Sequence, residues 1–219
     1  MTVLASAIIS RVRTQMIDLG LSGPLRWGDT ELQQWIADAQ RTIIAAAPRA
    51  SSTVVTIPLV AGTRQTIPTN GYVFLKAYRN MGVSRNTPGN ALEVVPRELM
   101  DTQYPTWHTA TAVTNPPIVI FDPSDPTAFY VSPPSDGTGS MEINYSQGVA
   151  DFTADTQPLI VSDIYQTPVF DYTMFRACQK DSDYAAGQQI AATYLNAFQG
   201  FLKAVMTDDL TTATQTGRT

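Results

Sequence analysis

Asp29-Thr30-Glu31-Leu32-Gln33-Gln34-Trp35-Ile36-Ala37-Asp38-Ala39-Gln40-Arg41-Thr42-Ile43-Ile44-Ala45-Ala46, residues 29–46, decides how the rest of the chain is read. Leu32, Trp35, Ile36, Ala39, Ile43 and Ala46 recur with helical spacing and fall on one narrow face. Gln34, Asp38 and Arg41 take the opposite side. Asp29 or Thr30 can serve as N-cap, Glu31 lies near the positive end of the helix dipole, and Pro48 marks the end. A helix with one apolar stripe must bury it against other elements, so the chain on either side is searched for partners.

On the N-terminal side, Leu4, Ile8, Val12, Met16 and Leu19 share a helical face, with Ser10, Arg13 and Thr14 on the other. Gly20, Gly23 and Pro24 stop that helix. On the far C-terminal side, helical periodicity returns after Pro168. Asp171 to Ala186 is apolar over a wide arc (Met174, Phe175, Ala177, Cys178, Ala185), with Arg176, Gln179, Lys180 and Asp183 forming a polar stripe. Gly187 permits a kink or break. Ile190, Ala191, Tyr194, Leu195, Phe198, Phe201, Leu202 and Val205 then make a further amphipathic stripe. Residues 207–219 hold one large apolar residue, Leu210, and read as a flexible tail.

Between the helical ends the pattern changes. Thr53 to Ile57, Tyr72 to Val83, Ile118 to Phe121, Phe129 to Val131 and Met141 to Tyr145 are rich in β-branched and aromatic residues. Pro, Gly, Asn and Asp clusters separate them, and most of the 15 prolines lie here, as suits short strands and long surface loops. One short helix is expected from Pro96 through Gln103, with Pro96 in its first turn. The expected fold is therefore α+β. A helical bundle is built from both chain ends (residues 1–50 and 160–206). A β-rich module (51–159) is inserted as a projecting arm, and 207–219 form the tail.

Composition narrows the function. Of 219 residues, 43% are hydrophobic, enough for a sizeable core, while only 15% are charged, well under the usual quarter. A chain with so little charge is expected to hide surface in an assembly. The net charge of −5 and the three lysines (Lys76, Lys180, Lys203) leave no basic cluster to replace counterions on phosphates. Such a surface would let DNA slide past without sequence-specific binding. No segment approaches a membrane span, and Arg11 and Arg13 interrupt the apolar N-terminus, so neither membrane insertion nor a signal peptide is expected. The single cysteine, Cys178, excludes an internal disulfide framework and fits synthesis in a reducing cytoplasm.

Catalytic and metal chemistry find no constellation. Phosphate-binding loops and nucleophile elbows are missing, and His108 is the only histidine, so it has no zinc-ligand partner. His108, in Trp107-His108-Thr109, reads as a packing or surface residue, and Cys178 as an inert thiol within an apolar arc. Asp122 and Asp125, flanking Pro123, read as turn residues, although their oxygens leave a calcium site open. Asp208 and Asp209 oppose the dipole of the last helix. Asn144-Tyr145-Ser146 matches a glycosylation sequon, which has no meaning for a chain made and kept in a cytoplasm. Asp181 projects to the edge of an apolar arc. It is expected either to pair with an arginine or to remain partly exposed. No enzyme, cofactor or metal is expected.

Two segments carry a resemblance. Trp27-Gly28-Asp29-Thr30-Glu31-Leu32, followed by Trp35-Ile36-Ala37-Asp38-Ala39-Gln40-Arg41 and Pro48, resembles the N-terminal signature of head-to-tail adaptor proteins of tailed bacteriophages. The succession of Tyr130-Val131-Ser132-Pro133-Pro134, Met141 to Tyr145, and an aromatic helix with Asp171-Tyr172, Arg176-Ala177 and Lys180-Asp181 is similar to the same family. Tail tubular proteins of short-tailed phages look like its relatives. The resemblance covers about half the chain, and Trp27, Asp29, Leu32, Trp35, Arg41, Tyr172, Arg176 and Asp181 are its structural signature.

The resemblance implies a homo-oligomeric ring, twelve subunits in number, between the portal protein and a tail, nozzle or stopper protein, with a channel for DNA. It implies a place at the head–tail junction of the virion. The tail segment, with Asp208, Asp209, Leu210 and Arg218, becomes the candidate portal-docking surface. A different virion connector, such as a stopper or tail-completion protein, is the first alternative. A ligand-binding α+β domain recognising carbohydrate through Tyr104, Trp107 and Tyr130 is the second.

Overall fold

The computed structural model describes residues 3–20, 24–180 and 185–216, the side chains of 185, 186 and 208–216 excepted. Among the described residues, five α-helices and seven strands divide into two compact units: residues 1–51 with 148–219, and residues 52–147. The fold class is α+β.

In the first unit, α1 (Ala5–Gln15), α2 (Asp29–Ala46), α4 (Gln166–Lys180) and α5 (Ala185–Thr216) contribute to one apolar cluster. Ile8 and Val12 of α1, Leu32, Ile36 and Ile43 of α2, Val169 and Met174 of α4, and Phe198 of α5 are buried in it. Side chains of this size each stabilise by about 1.5–3 kcal/mol when fully buried. Residues 148–159, read from sequence with the β-rich module, belong to this unit instead. The Ala5 amide donates to the Gln157 carbonyl at 3.0 Å and the Leu159 amide to the Val3 carbonyl at 2.8 Å. Those main-chain bonds tie the segment to the start of α1.

The first helix is shorter than its apolar spacing predicts. It ends at Gln15, and Leu19, expected on the buried face, is exposed. Ile17 has a φ of 56°, which the helix cannot carry past Met16. The last helix is longer than predicted. Residues 207–216, read as flexible, continue α5 to Thr216, since neither Gly nor Pro occurs between Gly200 and Gly217 to break a helix already nucleated. Gly187 lies in the first turn of α5 rather than at a break between helices.

The second unit holds two sheets. One has the order β1-β7-β3, from β1 (Ser52–Pro58), β7 (Ser140–Gln147) and β3 (Gly71–Asn80). The other has the order β2-β6-β5-β4, from β2 (Gly62–Thr66), β6 (Ala128–Ser135), β5 (Ile118–Phe121) and β4 (Glu93–Pro96). All pairs are antiparallel except β4 with β5. Phe74 of β3 stacks on Phe129 of β6 at 4.6 Å, and with Ile57, Val119, Val131, Met141 and Ile143 they form a core shared by both sheets. The strands β2 and β4 were not read from sequence. Gly62-Thr63-Arg64-Gln65-Thr66 is polar, and Glu93 to Pro96 is four residues ending on proline, so neither carries a strand pattern. Helix α3 (Arg97–Gln103) follows β4 directly, and Pro96 is its N-cap residue rather than part of its first turn.

Candidate functional site

Two of the signature residues, Trp27 and Asp29, lie in the helical unit at the connection between α1 and α2. Asp18 is only 8% exposed, and its carboxylate accepts from the Arg13 guanidinium at 2.7 Å and the Arg26 amide at 2.8 Å. Arg13 also donates to the Trp27 carbonyl at 3.0 Å and to Asp29 Oδ1 at 2.6 Å. This latch holds Ile17, a β-branched residue, in the left-handed region, at a cost of about 1–2 kcal/mol. Trp27 is buried beneath it. Asp29 does not act as the helix cap expected of it. Gly28 is the N-cap residue, and the Asp29 carboxylate is directed to Arg13.

Further along α2, Leu32 and Trp35 enter the core. Arg41 reaches off the polar face to Asp38 at 3.0 Å and to Asp151, which raises its pKa further. Gln40 has no exposed surface, and its Oε1 accepts from the Ile160 amide at 2.7 Å and the Val161 amide at 3.4 Å. Its Nε2 has no partner among the described residues. Glu31 receives both carboxylate contacts of a fork from Lys180, at 2.7 and 2.8 Å, joining the start of α2 to the end of α4.

On α4, Tyr172 packs against Phe198 of α5 with ring centres 5.1 Å apart, and Arg176 donates to the Tyr172 hydroxyl at 3.5 Å. Arg11 lies over the Phe170 ring at 4.4 Å. Burial pushes the neighbouring Asp171 carboxyl above its ordinary range, and the Arg11 charge partly offsets this. Asp181 and Arg218 lie outside the described residues. Asp208, Asp209 and Leu210 fall in α5, beyond Val205, the last of its described side chains in the apolar cluster.

Sequence reading missed Arg13, Asp18 and Gln40 as structural anchors. Arg13 and Gln40 were legible only as polar positions, and nothing in a lone Asp18 after a helix signals burial. The remaining candidates sort as follows. Cys178 is buried, its thiol pushed up by desolvation, with Sγ 3.8 Å from Met16 Sδ. Asp122 and Asp125 are held below the usual carboxylate range. Asp122 accepts from the Ser124 amide and Arg97, and Asp125 accepts from Arg64 at 2.8 Å. Asp122 thus bonds the backbone two residues on, as a turn residue does.

The second unit carries an open groove of about 570 Å³ beside α3, lined by Leu99, Met100, Tyr104, Trp107, Ile118 and Pro133. Trp107 is nearly fully buried at its base, gives its indole N–H to Asp101 at 2.9 Å, and stacks on His108. His108 Nδ1 in turn meets the Thr63 hydroxyl at 2.9 Å. A sugar-stacking platform needs an exposed ring face, which Trp107 does not offer. Only Glu93 among the lining residues is ionisable below neutral pH, so the groove assembles no acid–base pair.

What these side chains do is lock helices and connecting segments in register, which is the work of a structural part. The chain belongs to the family of SU10 adaptor proteins, whose model matches residues 1–219. The family is one of structural virion proteins of bacteriophages, and adaptors act by joining other virion components. No curated protein matches the chain. No described helix is long and apolar enough to cross a membrane.

Proposed function

We propose that this chain is a head-to-tail adaptor, forming a ring between the portal and the tail at the head–tail junction, with a channel through which DNA passes. The family match over the full length carries this reading. Supporting it, the apolar cluster joins α1 and α2 from one chain end to α4 and α5 from the other, as a bundle of residues 1–50 and 160–206 closing around an inserted module requires. The net charge of −5 and the sparse lysines suit a channel wall that does not retain DNA.

In this reading the ring has twelve subunits, the end of α5 with Asp208, Asp209, Leu210 and Arg218 docks on the portal, and the β-rich module meets the tail, nozzle or stopper protein. The protein is made in the host bacterial cytoplasm and works in the virion. Electron microscopy of this chain mixed with the portal ring of the same phage tests it. A new symmetric layer at the narrow end of the portal, with its subunits counted directly, is the expected result. Two folded proteins without an added layer would transfer the role to a connector further down the tail.

A further inference from the structure

The seven residues of β1 form one edge of the three-stranded sheet. Strand β7 lies on one side, and no strand lies on the other among the described residues. Exposed edges invite pairing with other chains, and proteins blunt them with bulges, charges, prolines, short lengths or covering loops. Three of the four sheet edges in this unit are blunted in these ways.

The outer side of β3 is covered. The Phe74 amide donates to the Pro126 carbonyl at 2.7 Å, the Leu92 amide to the Tyr78 carbonyl at 3.2 Å, and the Gly89 amide to the Asn80 carbonyl at 2.8 Å. Three register shifts and the charges of Lys76 and Arg79 add to that protection. Strand β2 is five residues long with a bulge, and the Gln65 side chain folds back onto the Val60 amide and carbonyl at 2.8 and 2.9 Å. Strand β4 is four residues long and ends on Pro96.

Apart from Pro58 at its end, strand β1 carries none of these devices. Its seven pairs with β7 run in unbroken register, it has no charged residue, and Thr53 to Ile57 are all β-branched. Val54 is 53% exposed. We propose that β1 is a docking edge, and that an extended, uncharged segment of a different virion protein adds to it as a fourth strand through backbone hydrogen bonds. The inference rests on the adaptor reading, which requires this chain to hold a second kind of protein.

A second copy of this chain is the wrong occupant on geometric grounds. Among the described residues, the one open strand edge it could offer is its own β1. Pairing β1 with β1 gives a self-complementary contact that closes after two copies and leaves nothing to propagate around a ring. The incoming strand must also lack charge beside Val54 and Thr56, and must keep an N–H at alternate positions to complete the ladder.

Amide hydrogen exchange on the full chain tests this in three settings: free, bound as a ring to the portal, and in complete virions. The β1 amides that face away from β7 should exchange rapidly in the first two. In the virion they should slow by at least about tenfold, as a new ladder bond demands. Val54→Lys, placed on the exposed face, should fold and join the portal but fail to yield tail-bearing particles. Unchanged β1 exchange in virions would overturn the proposal, and so would tail-bearing Val54→Lys particles at the wild-type yield. Protection already present in the free chain would mean that a second copy fills the edge, which also overturns it. A chain that never joins the portal would sink the adaptor reading instead, while β1 exchange in the virion would still report on the edge.

Discussion

Asp18 sits within 2.7 Å of the Arg13 guanidinium, five residues back across the end of α1, and this pair fixes where the first helix stops. The side chains are 7% and 12% exposed, so the pair is desolvated on both sides. Without Asp18, Arg13 keeps Asp29 and the Trp27 carbonyl, but the Arg26 amide loses its acceptor and Arg13 its more buried carboxylate. Asp18→Ala should therefore cost about 2 kcal/mol of stability, measured by denaturant unfolding. Asp18→Asn, which keeps an acceptor for the Arg26 amide, should lose less. Equal losses would show that the charge on Asp18 contributes nothing.

A neutral anchor does comparable work on α2. Gln40 is fully buried and accepts from two successive amides, those of Ile160 and Val161. Gln40→Met preserves the side-chain volume but leaves both amides without an acceptor. The expected loss is about 2 kcal/mol, since unsatisfied buried donors forfeit their hydration. Hydrogen exchange at residues 160 and 161 should accelerate more than elsewhere in the unit. A uniform acceleration would mean that Gln40 acts through packing alone.

These two anchors show where sequence reading reaches and where it stops. The stripe Leu32, Trp35, Ile36, Ala39 and Ile43 predicts α2 because burial of a helical face imposes a period on the apolar residues. The strands β3, β5, β6 and β7 were legible because β-branched and aromatic runs are bounded by turn residues. Gln40 stands inside the same helix as an ordinary polar residue, and its acceptors come from a segment 120 positions away. Leu19 misled the reading because spacing alone cannot see that Asp18 is captured by Arg13 one turn earlier. The candidate interface residues Asp208, Asp209 and Leu210 were singled out by composition, which does not reveal that they continue a helix.

Asp171 makes stability depend on pH in a direction opposite to that of most carboxylates. Burial raises its folded pKa above the ordinary 3.8, with Arg11 opposing the shift. The folded state then holds the proton more tightly than the unfolded chain. This group's contribution is fully present below pH 3.8 and is lost as pH rises through the folded value. Asp171→Asn should flatten that segment of the stability–pH curve and leave the variant more stable than the parent at neutral pH, relative to their difference in acid. Arg11→Met, which removes the compensating charge, should widen the window upward. Parallel wild-type and Asp171→Asn curves from pH 3 to 7 would show that the carboxyl is solvated, contrary to its burial.

The length of α5 motivates the last prediction. Its 32 residues span about 48 Å at a rise of 1.5 Å per residue, whereas the 15 residues of α4 span about 22 Å. Among the described side chains of α5, Val205 is the last in the apolar cluster, and the helix itself runs on to Thr216. Ending the chain after Met206 removes Asp208, Asp209, Leu210 and Arg218 and keeps every α5 side chain described in the apolar cluster. The truncated protein should unfold at the same temperature as the full chain but no longer sediment with the portal ring. Asp208→Asn combined with Asp209→Asn separates charge from length. If the acids pair with basic groups on the portal, the double variant should bind weakly at low salt and lose the salt dependence of the parent, because surface ion pairs are screened. A truncated chain that still joins the portal would assign docking to another surface and leave the extended end of α5 without this role.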